Sequence, residues 1–351
     1  MVSKNNSAAV EPLINGVADR LETYTATAAE SLKDTQTVPL SRLHLTQKHA
    51  YVSTSDMSDK TPEMEIDNKS AMLAVEAAIA IVINGIHYAI LMASPYQLEY
   101  LAIGFLYSEG LIHHSYELLD WEVTQLTDIA SYRRFTSDLT DDLIAEKTGF
   151  EQFSAQLQDY DVYVVELVLN QRCHQRIQAQ RRQLAGRTGC GMCGITGLSQ
   201  ALPDLSHYSS SSSQQVQQPL QSTTPNLNYL LQMRQQIDTA QHTHQLTGAV
   251  HAAATMQGND LYLFEDVGRH NALDKLIGWQ LRHKAEVTCV VMTSRLSIEL
   301  VQKSIRSRIP WLVGMSAPTS TAVRVAERYG LGLAGFLRDD RVTYYTNYSN
   351  A

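Results

Sequence analysis

Cysteine is scarce in this sequence, with only four among 351 residues. So few thiols cannot build a disulfide-stapled scaffold, whereas thiol chemistry and metal binding both stay open. A secretory signal is missing, because no apolar run follows a basic start in residues 1–20. The most apolar stretch, residues 71–94, is interrupted by Glu76 and by Asn84-Gly85, which is too early for a membrane helix. We therefore expect a cytoplasmic protein that has no membrane span.

The sequence also has no excess of basic residues, because its formal net charge is -8. This balance disfavours a general nucleic-acid binder, so we expect no nucleic-acid partner. The charge is unevenly spread, because 12 Lys and Arg stand against 8 Asp and Glu from residue 265 to residue 351. The C-terminal region is therefore predicted to attract an anion.

The chain divides by composition into four regions. Residues 1–65 are rich in Ser, Thr, Asn and Asp without a periodic pattern, which predicts a disordered tail. Residues 66–205 predict an N-terminal β/α region that ends in a loop with two cysteines and carries a polar excursion over 129–160. Residues 206–226 contain a run of serines and many glutamines and predict a flexible linker. Residues 227–351 predict a C-terminal α/β region.

Local patterns predict the elements of these regions. Asn84-Gly85 joins two apolar runs and predicts a β-hairpin. A helix follows, for which Ser94 is the predicted cap, Gln97 completes a capping box and Gly110 marks the end. A long helix is predicted from Asn226 to residue 248, and strands then alternate with helices. This order is typical of the α/β class, with a layered mixed sheet and flanking helices.

The stretch RTGCGMCGITG, residues 187–197, places Cys190 and Cys193 three positions apart among four glycines. Structural zinc needs two more ligands, which only Cys173 with His174 or other histidines brought near by the fold can supply. A thioredoxin-like redox pair lacks the flanking strand-to-helix pattern. Both uses stay open from the local sequence.

The surroundings of the two cysteines favour a third use, that of a sulfur carrier. No Asp or Glu occurs between residues 171 and 200, where five arginines do. A cationic neighbourhood without acids favours the thiolate, which is the nucleophile. The glycines predict an accessible loop that can meet both a donor and an acceptor. The simpler alternative is that these arginines form a solvated helix face.

Six motifs occur in order along the chain: SPYQLEYLAIGFLYSEGLI, RTGCGMCGITG, TGAVHAAA, FEDVGRHNALDKLIG, TSRLSIELVQKS and SAPTSTAVRVAERYGLGLAGFLRDDR. Together they resemble the formate dehydrogenase accessory sulfurtransferase family, FdhD, over roughly residues 75–110, 160–200 and 245–346. The resemblance implies a cytidine-deaminase-like fold for residues 227–351 and a homodimer.

The resemblance also implies an enzyme, a sulfurtransferase that acts as a persulfide sulfur carrier. A cysteine desulfurase would hand sulfur to Cys190, with Cys193 as its partner. The sulfur would then pass to the molybdenum cofactor, bis-molybdopterin guanine dinucleotide, before the cofactor is inserted into formate dehydrogenase. The protein would bind this cofactor as sulfur acceptor, and we predict no structural metal.

The same resemblance assigns cofactor contacts to six consecutive residues: Phe336, Leu337, Arg338, Asp339, Asp340 and Arg341. The two arginines can pair with phosphate, and either aspartate can pair with guanine N–H groups. Two polar helix starts, at residues 268–271 and 316–320, add free backbone N–H groups that suit the phosphates of a dinucleotide. Their simpler interpretation is that of ordinary capped helix starts.

Two other functions are compatible with parts of this pattern. A zinc nucleobase deaminase needs His-x-Glu and a later Pro-Cys-x-x-Cys pair. Here Ala253 stands two residues after His251, and the only Cys-x-x-Cys lies upstream after Gly189, which argues against a deaminase. His251 is then either a pocket residue or a satisfied core histidine. The remaining alternative is a non-catalytic cofactor-binding chaperone with structural cysteines.

Overall fold

The computed structural model describes residues 43–53, 64–127, 160–173, 177, 203–208 and 223–347. Its strands are β1 (Leu43–Ser53), β2 (Met64–Ala74), β3 (Ala77–Ile83), β4 (Ile86–Ala93), β5 (Leu118–Gln125), β6 (Val162–Leu169), β7 (His251–Gln257), β8 (Asp260–Asp266), β9 (Cys289–Met292), β10 (Trp311–Gly314), β11 (Gly332–Gly335) and β12 (Thr343–Tyr344). Its α-helices are α1 (Leu98–Ser108), α2 (Leu227–Ala240), α3 (His242–Thr247), α4 (Arg269–His283), α5 (Ile298–Arg306) and α6 (Ser320–Tyr329).

A four-stranded mixed sheet has the order β4-β3-β6-β5. The hairpin predicted at Asn84-Gly85 is confirmed, since both residues have positive φ angles, 49° and 76°, and join β3 to β4 in antiparallel register. Asn and Gly tolerate this conformation best, which fixes the turn. Ile79 and Ile81 on β3 are fully buried and belong to one apolar cluster with Leu101 of α1. One face of the sheet is therefore covered by α1.

A six-stranded sheet has the order β12-β11-β10-β9-β7-β8. Strands β9, β10 and β11 are parallel and alternate along the chain with α5 and α6, while β7 is antiparallel to β8 and β9. The three parallel strands are buried along their whole length, as expected for strands covered on both faces. The predicted α/β class with a layered mixed sheet is confirmed. The cytidine-deaminase-like arrangement stays a prediction.

Helices α1 and α4 cross in direct backbone contact. A Cβ atom added at Gly104 of α1 would lie 1.8 Å from the carbonyl oxygen of Asp274, and one added at Gly278 of α4 would lie 2.0 Å from that of Tyr100. Any side chain larger than hydrogen would therefore push the helices apart. This crossing joins the helix of the four-stranded sheet to a helix of the six-stranded sheet.

The predicted start of α1 is wrong. The helix begins at Leu98, and its N-cap is Gln97, which has a φ of 54° and makes no side-chain capping bond. Ser94 is 2% exposed instead; its N–H donates to Asp266 at 3.1 Å and its Oγ accepts from the N–H of Val267 at 3.1 Å. The Ser94 hydroxyl, which would have capped the helix, is therefore bonded to a residue far away in the sequence.

The helix predicted from Asn226 to Gly248 is two helices. Its start is confirmed, because Oδ1 of Asn226 accepts from the N–H of Tyr229 at 2.8 Å. Its end is also confirmed, since Gly248 is the C-cap of α3 with a φ of 66°. The chain leaves the helical conformation between them at Gln241, where φ is -75° and ψ is 69°. Gln241 therefore separates α2 from α3.

Strand β1 lies within the tail predicted over residues 1–65 and pairs with β2 in a two-stranded sheet. Much of the rest of that tail, residues 129–159 of the excursion predicted over 129–160 and linker residues 209–222 lie outside the described residues. The division into four regions therefore stays a prediction. Within the described ranges, no helix combines the length and apolar character needed to cross a membrane.

Candidate functional site

The candidate site lies at the edge of the six-stranded sheet where its parallel strands end. Strands β9, β10 and β11 finish there at Met292, Gly314 and Gly335. Antiparallel β7 begins at the same edge with His251. Loops that leave the carboxyl ends of parallel strands are the usual ligand-binding position in open α/β sheets.

A pocket of about 430 Å³ opens at this edge. The loops after β9 and β10 contribute Thr293 and Ser316, the turn after β11 contributes Arg338, and β7 contributes His251. Its volume lies within the roughly 300–1,000 Å³ typical of small-molecule sites. The other lining residues come from α2, α3, the segments that follow these helices and the loop after β10: Asp238, Gln241, His244, Gln245, Gly248, Ala249, Val250 and Met315. The fold thus brings together His251 of one motif with Ser316 and Arg338, which lie at opposite ends of another.

The stretch predicted to contact the cofactor, residues 336–341, forms the turn between β11 and β12. The N–H of Phe336 donates to the carbonyl of Ser316 at 3.2 Å, and the N–H of Leu337 donates to that of Gly314, the last residue of β10, at 3.1 Å. The N–H of Arg338 donates to the carbonyl of Arg341 at 2.8 Å. Leu337 is fully buried, and Phe336 is 39% exposed with a φ of 52°. Of these residues only Arg338 lines the pocket.

The two carboxylates in this turn, those of Asp339 and Asp340, lie outside the pocket lining. Asp339 is 92% exposed and pairs with Arg234 of α2, whose Nη2 lies 3.3 Å from Oδ1 of the carboxylate. Asp340 is exposed. Neither residue lines the pocket, whereas Asp238 of α2 does. Contacts of Asp339 or Asp340 with guanine stay a prediction.

Arg234 fastens the turn to helix α2. Its Nη1 donates to the carbonyl of Leu337, its Nη2 pairs with Asp339, and its Nε donates to Oδ2 of Asp238 at 3.3 Å. The side chain is 17% exposed, so the planar guanidinium is largely enclosed by its three partners. One residue therefore links the pocket wall on α2 to the turn that carries Arg338.

Basic groups surround the histidine of the site. Burial lowers the pKa of His251, and the positive charges of Arg269, His244 and Arg295 lower it further. The imidazole is therefore neutral at neutral pH and available as a hydrogen-bond partner. The nearby arginines give this end of the pocket a positive potential, which attracts an anion.

The polar start predicted at residues 268–271 is confirmed as the start of α4, with Gly268 as its N-cap. Burial is the main cause that lowers the pKa of His270 to about 4, and Lys303 and Arg269 add to it. The Nε2 of His270 and the Nε of Arg269 are buried and have no hydrogen-bond partner among the described residues. The second polar start is an ordinary cap, because Oγ1 of Thr319 accepts from the N–H of Ala322 at 3.3 Å.

A buried ion pair lies beneath this edge of the sheet. Nζ of Lys275 lies 2.7 Å from Oδ2 of Asp266, and both side chains are 0% exposed. Asp266 also accepts from Gly268 and Asn271, and Lys275 donates to the carbonyls of Ser94 and of the residue before Asp266. Burial lowers the pKa of Lys275, an effect that Asp266 opposes. These bonds tie the first two turns of α4 to the end of β8 and to the segment before α1.

Comparison with known proteins supports the family predicted from the motifs. A profile of the FdhD/NarQ family matches residues 74–351. The chain belongs to the FdhD/NarQ family. It is 34% identical over 280 residues to a sulfur carrier protein FdhD of Shewanella oneidensis, covering 78% of this chain and 84% of that protein. It is 36% identical over 278 residues to the one of Chromobacterium violaceum, covering 78% and 88%.

A solved structure supports the fold of this FdhD/NarQ family member. It is a crystal structure of a candidate formate dehydrogenase accessory protein from Desulfotalea psychrophila, with a TM-score of 0.53 and 18% identity. The match covers 87% of this chain and 98% of that one. At this identity the likeness concerns the fold alone.

The predicted sulfur-carrying residues of this FdhD/NarQ protein, Cys190 and Cys193, lie outside the described residues. Cys173 and Cys289 are described, and both side chains are buried. Burial raises the pKa of Cys289 to about 12, so this thiol is inert at neutral pH. In the part of the chain that the structure describes, no group of three or more His, Cys, Asp or Glu side chains is arranged to hold a metal ion.

The pocket wall that α2 and α3 provide was not predicted from the sequence. Its residues were predicted only to be helical, because polar side chains on a predicted helix surface are usually solvated. The Gln241 break is what places Asp238 and Gln241 beside Arg338. No local signal marked that break, since Gln241 is neither Gly nor Pro.

Proposed function

We propose that this protein is a sulfur carrier in the maturation of formate dehydrogenase, as its relatives' names and its family indicate. In the proposed reaction, the Cys190 thiolate attacks the terminal sulfur of a persulfide on a cysteine desulfurase. The desulfurase thiolate leaves, and Cys190 holds the sulfur as a persulfide. Cys193 is the partner thiol of the same loop.

The proposed sulfur acceptor is the molybdenum cofactor, bis-molybdopterin guanine dinucleotide, which binds as substrate. The observation that carries this proposal is the position of Arg338, which belongs to the predicted cofactor stretch and also lines the pocket. Arginine is suited to the phosphates of such a ligand because its donors match phosphate geometry. The positive potential from Arg269 and Arg295 near His251 supports an anionic ligand.

The test combines a sulfur-loading assay with activation of formate dehydrogenase. After incubation with a cysteine desulfurase and cysteine, the peptide of residues 187–197 should gain the mass of one sulfur atom. Cys190→Ala should lose that gain and should fail to activate formate dehydrogenase, while its melting temperature stays that of the unaltered protein. Cys173→Ser is the control for a thiol outside the loop, and it should still load sulfur.

A cofactor-binding chaperone with structural cysteines gives the opposite results. Stoichiometric zinc, a large drop in melting temperature for Cys190→Ala and no sulfur on the loop would contradict the carrier, because a metal's binding energy contributes to folding.

A further inference from the structure

The last turn of α2 and the break that follows it present two polar side chains to the pocket. Asp238 and Gln241 are three positions apart and both line it. The Asp238 carboxylate is 51% exposed and uses Oδ2 to accept from Arg234. Its Oδ1 has no hydrogen bond to any described residue, so the carboxylate has spare acceptor capacity at the pocket wall.

Gln241 supplies the complementary group. The residue is only 5% exposed, and its Nε2 is a buried donor without a hydrogen-bond partner among the described residues. Buried amide groups in folded proteins are nearly always paired, because an unpaired one loses its hydration without compensation. A ligand that offers an acceptor here would remove that cost. The wall therefore presents a carboxylate acceptor beside an amide donor.

We propose that Asp238 and Gln241 recognise the edge of a fused pyrimidine ring on which an amino group, a ring N–H and a carbonyl stand side by side. In this arrangement the carboxylate accepts from the amino group and the ring N–H, and the amide donates to the carbonyl. Guanine and pterin both carry this edge. The proposal rests on the proposed function for the identity of the whole ligand, since that cofactor contains both rings.

The same arrangement of hydrogen-bond donor and acceptor disfavours adenine. Adenine has an amino group where guanine has its carbonyl, so a donor would face the Gln241 amide. Its adjacent ring nitrogen carries no hydrogen and would face the Asp238 carboxylate, acceptor against acceptor. Unpaired buried polar groups of this kind are how sites discriminate between similar ligands.

Arg234 makes Asp238 suitable for this role. Its guanidinium holds Oδ2 of the carboxylate and also holds the turn that carries Arg338. The carboxylate is thereby fixed relative to a residue suited to phosphate. A nucleotide bound through its ring at Asp238 and through its phosphates at Arg338 would use both ends of this linkage.

The experiment measures binding of three nucleoside diphosphates and a pterin to the full-length protein by calorimetry. GDP should bind about ten-fold or more tightly than IDP, which lacks only the amino group, and ADP should bind more weakly still. Asp238→Asn should bring the GDP and IDP affinities close together. Asp260→Asn makes the same exchange at an exposed position on β8 and should leave the ratio unchanged.

Gln241→Leu separates recognition from a structural role. Removing an unpaired buried donor should raise the melting temperature, whereas losing the bond to the ring carbonyl should weaken GDP binding about ten-fold. A purely structural glutamine would move both quantities in the same direction. Gln232→Leu, at an exposed position of α2, is the matched control and should change neither.

Neopterin distinguishes the two sources of the ring edge. If GDP fails to bind and neopterin binds in an Asp238-dependent manner, the edge recognised belongs to pterin and the proposal stands. Equal affinities for GDP, IDP and ADP, or full discrimination retained by Asp238→Asn, would overturn it, as would no binding of any probe. Sulfur loading of Cys190 is measured on the same samples, so that a protein that loads sulfur without ring selectivity refutes this inference alone.

Discussion

Nζ of Lys275 and Oδ2 of Asp266 lie 2.7 Å apart with both side chains fully buried. The pair sits where α4 begins, and its other bonds reach Ser94 in the segment before α1. Tyr96 covers the ammonium, with its ring centroid 4.0 Å from Nζ. A charge pair with this many partners fixes α4 against the end of β8 and the segment before α1.

Breaking this pair should destabilise the protein severely. Lys275→Met should lower the free energy of unfolding by about 3–5 kcal/mol, because it leaves the Asp266 carboxylate buried without a counter-charge. Urea denaturation followed by circular dichroism measures the change. Arg324→Met, an exposed position on α6, should stay within about 0.5 kcal/mol of the unaltered protein. A loss below 1 kcal/mol for Lys275→Met would contradict the role given to the pair.

Acid should destabilise the fold through His270. Its pKa in the folded protein is about 4, below its ordinary value of 6.5. The unfolded chain therefore binds more protons between these two values, and the free energy of unfolding must fall as pH drops from 6.5 to 4. His270→Gln should flatten this slope by up to about 1.4 kcal/mol per pH unit. His207→Gln, at an exposed site, should leave the slope unchanged; an unaltered slope in His270→Gln would refute the assignment.

The two arginines of the turn should differ in nucleotide binding. Arg338→Ala should weaken GDP binding about ten-fold, because it removes a charged donor from the pocket. Arg341→Ala should have a much smaller effect, since Arg341 does not line the pocket. Calorimetry of the two single variants provides the comparison, each serving as the control for the other. Equal losses would mean that the ligand extends beyond the pocket.

We expect Arg234 to support GDP binding through the geometry of its guanidinium group and not through its charge alone. Arg234→Lys keeps the positive charge but cannot bind Asp238, Leu337 and Asp339 together, so GDP affinity should fall nearly as far as in Arg234→Ala. Because the Arg234 side chain is largely enclosed, the melting temperature of each variant is measured alongside its GDP affinity. Arg324→Lys is the control for the same exchange at an exposed position. Full binding by Arg234→Lys would show that the charge suffices.

The sequence predicted elements wherever local backbone chemistry decides the structure. Asn84-Gly85 is confirmed as a hairpin turn because few residue pairs accept two positive φ angles. Asn226 caps α2 and Gly248 ends α3 for equally local reasons. Such signals depend on neighbouring residues alone, and a single sequence contains them in full.

Features that depend on distant partners could not be predicted in the same way. Ser94 was predicted to cap α1 in a capping box with Gln97, three residues along the chain. Its partner in the structure is Asp266, which lies 172 positions away. The buried Lys275 resembled an ordinary surface lysine of an amphipathic helix. His251 and Arg338 were singled out from separate motifs, but only the fold shows that they share a pocket with Asp238 and Gln241.

The glycine crossing of α1 and α4 has a consequence for synthesis of the chain. Gly104 leaves the ribosome long before Gly278, and at about 5–20 residues per second the interval is on the order of ten to thirty seconds. During that interval the face of α1 that carries Tyr100 has no partner, since its place against α4 does not yet exist. The nascent four-stranded sheet must therefore carry an exposed helix face until α4 emerges. A bulkier residue at Gly278 would prolong that exposure after release.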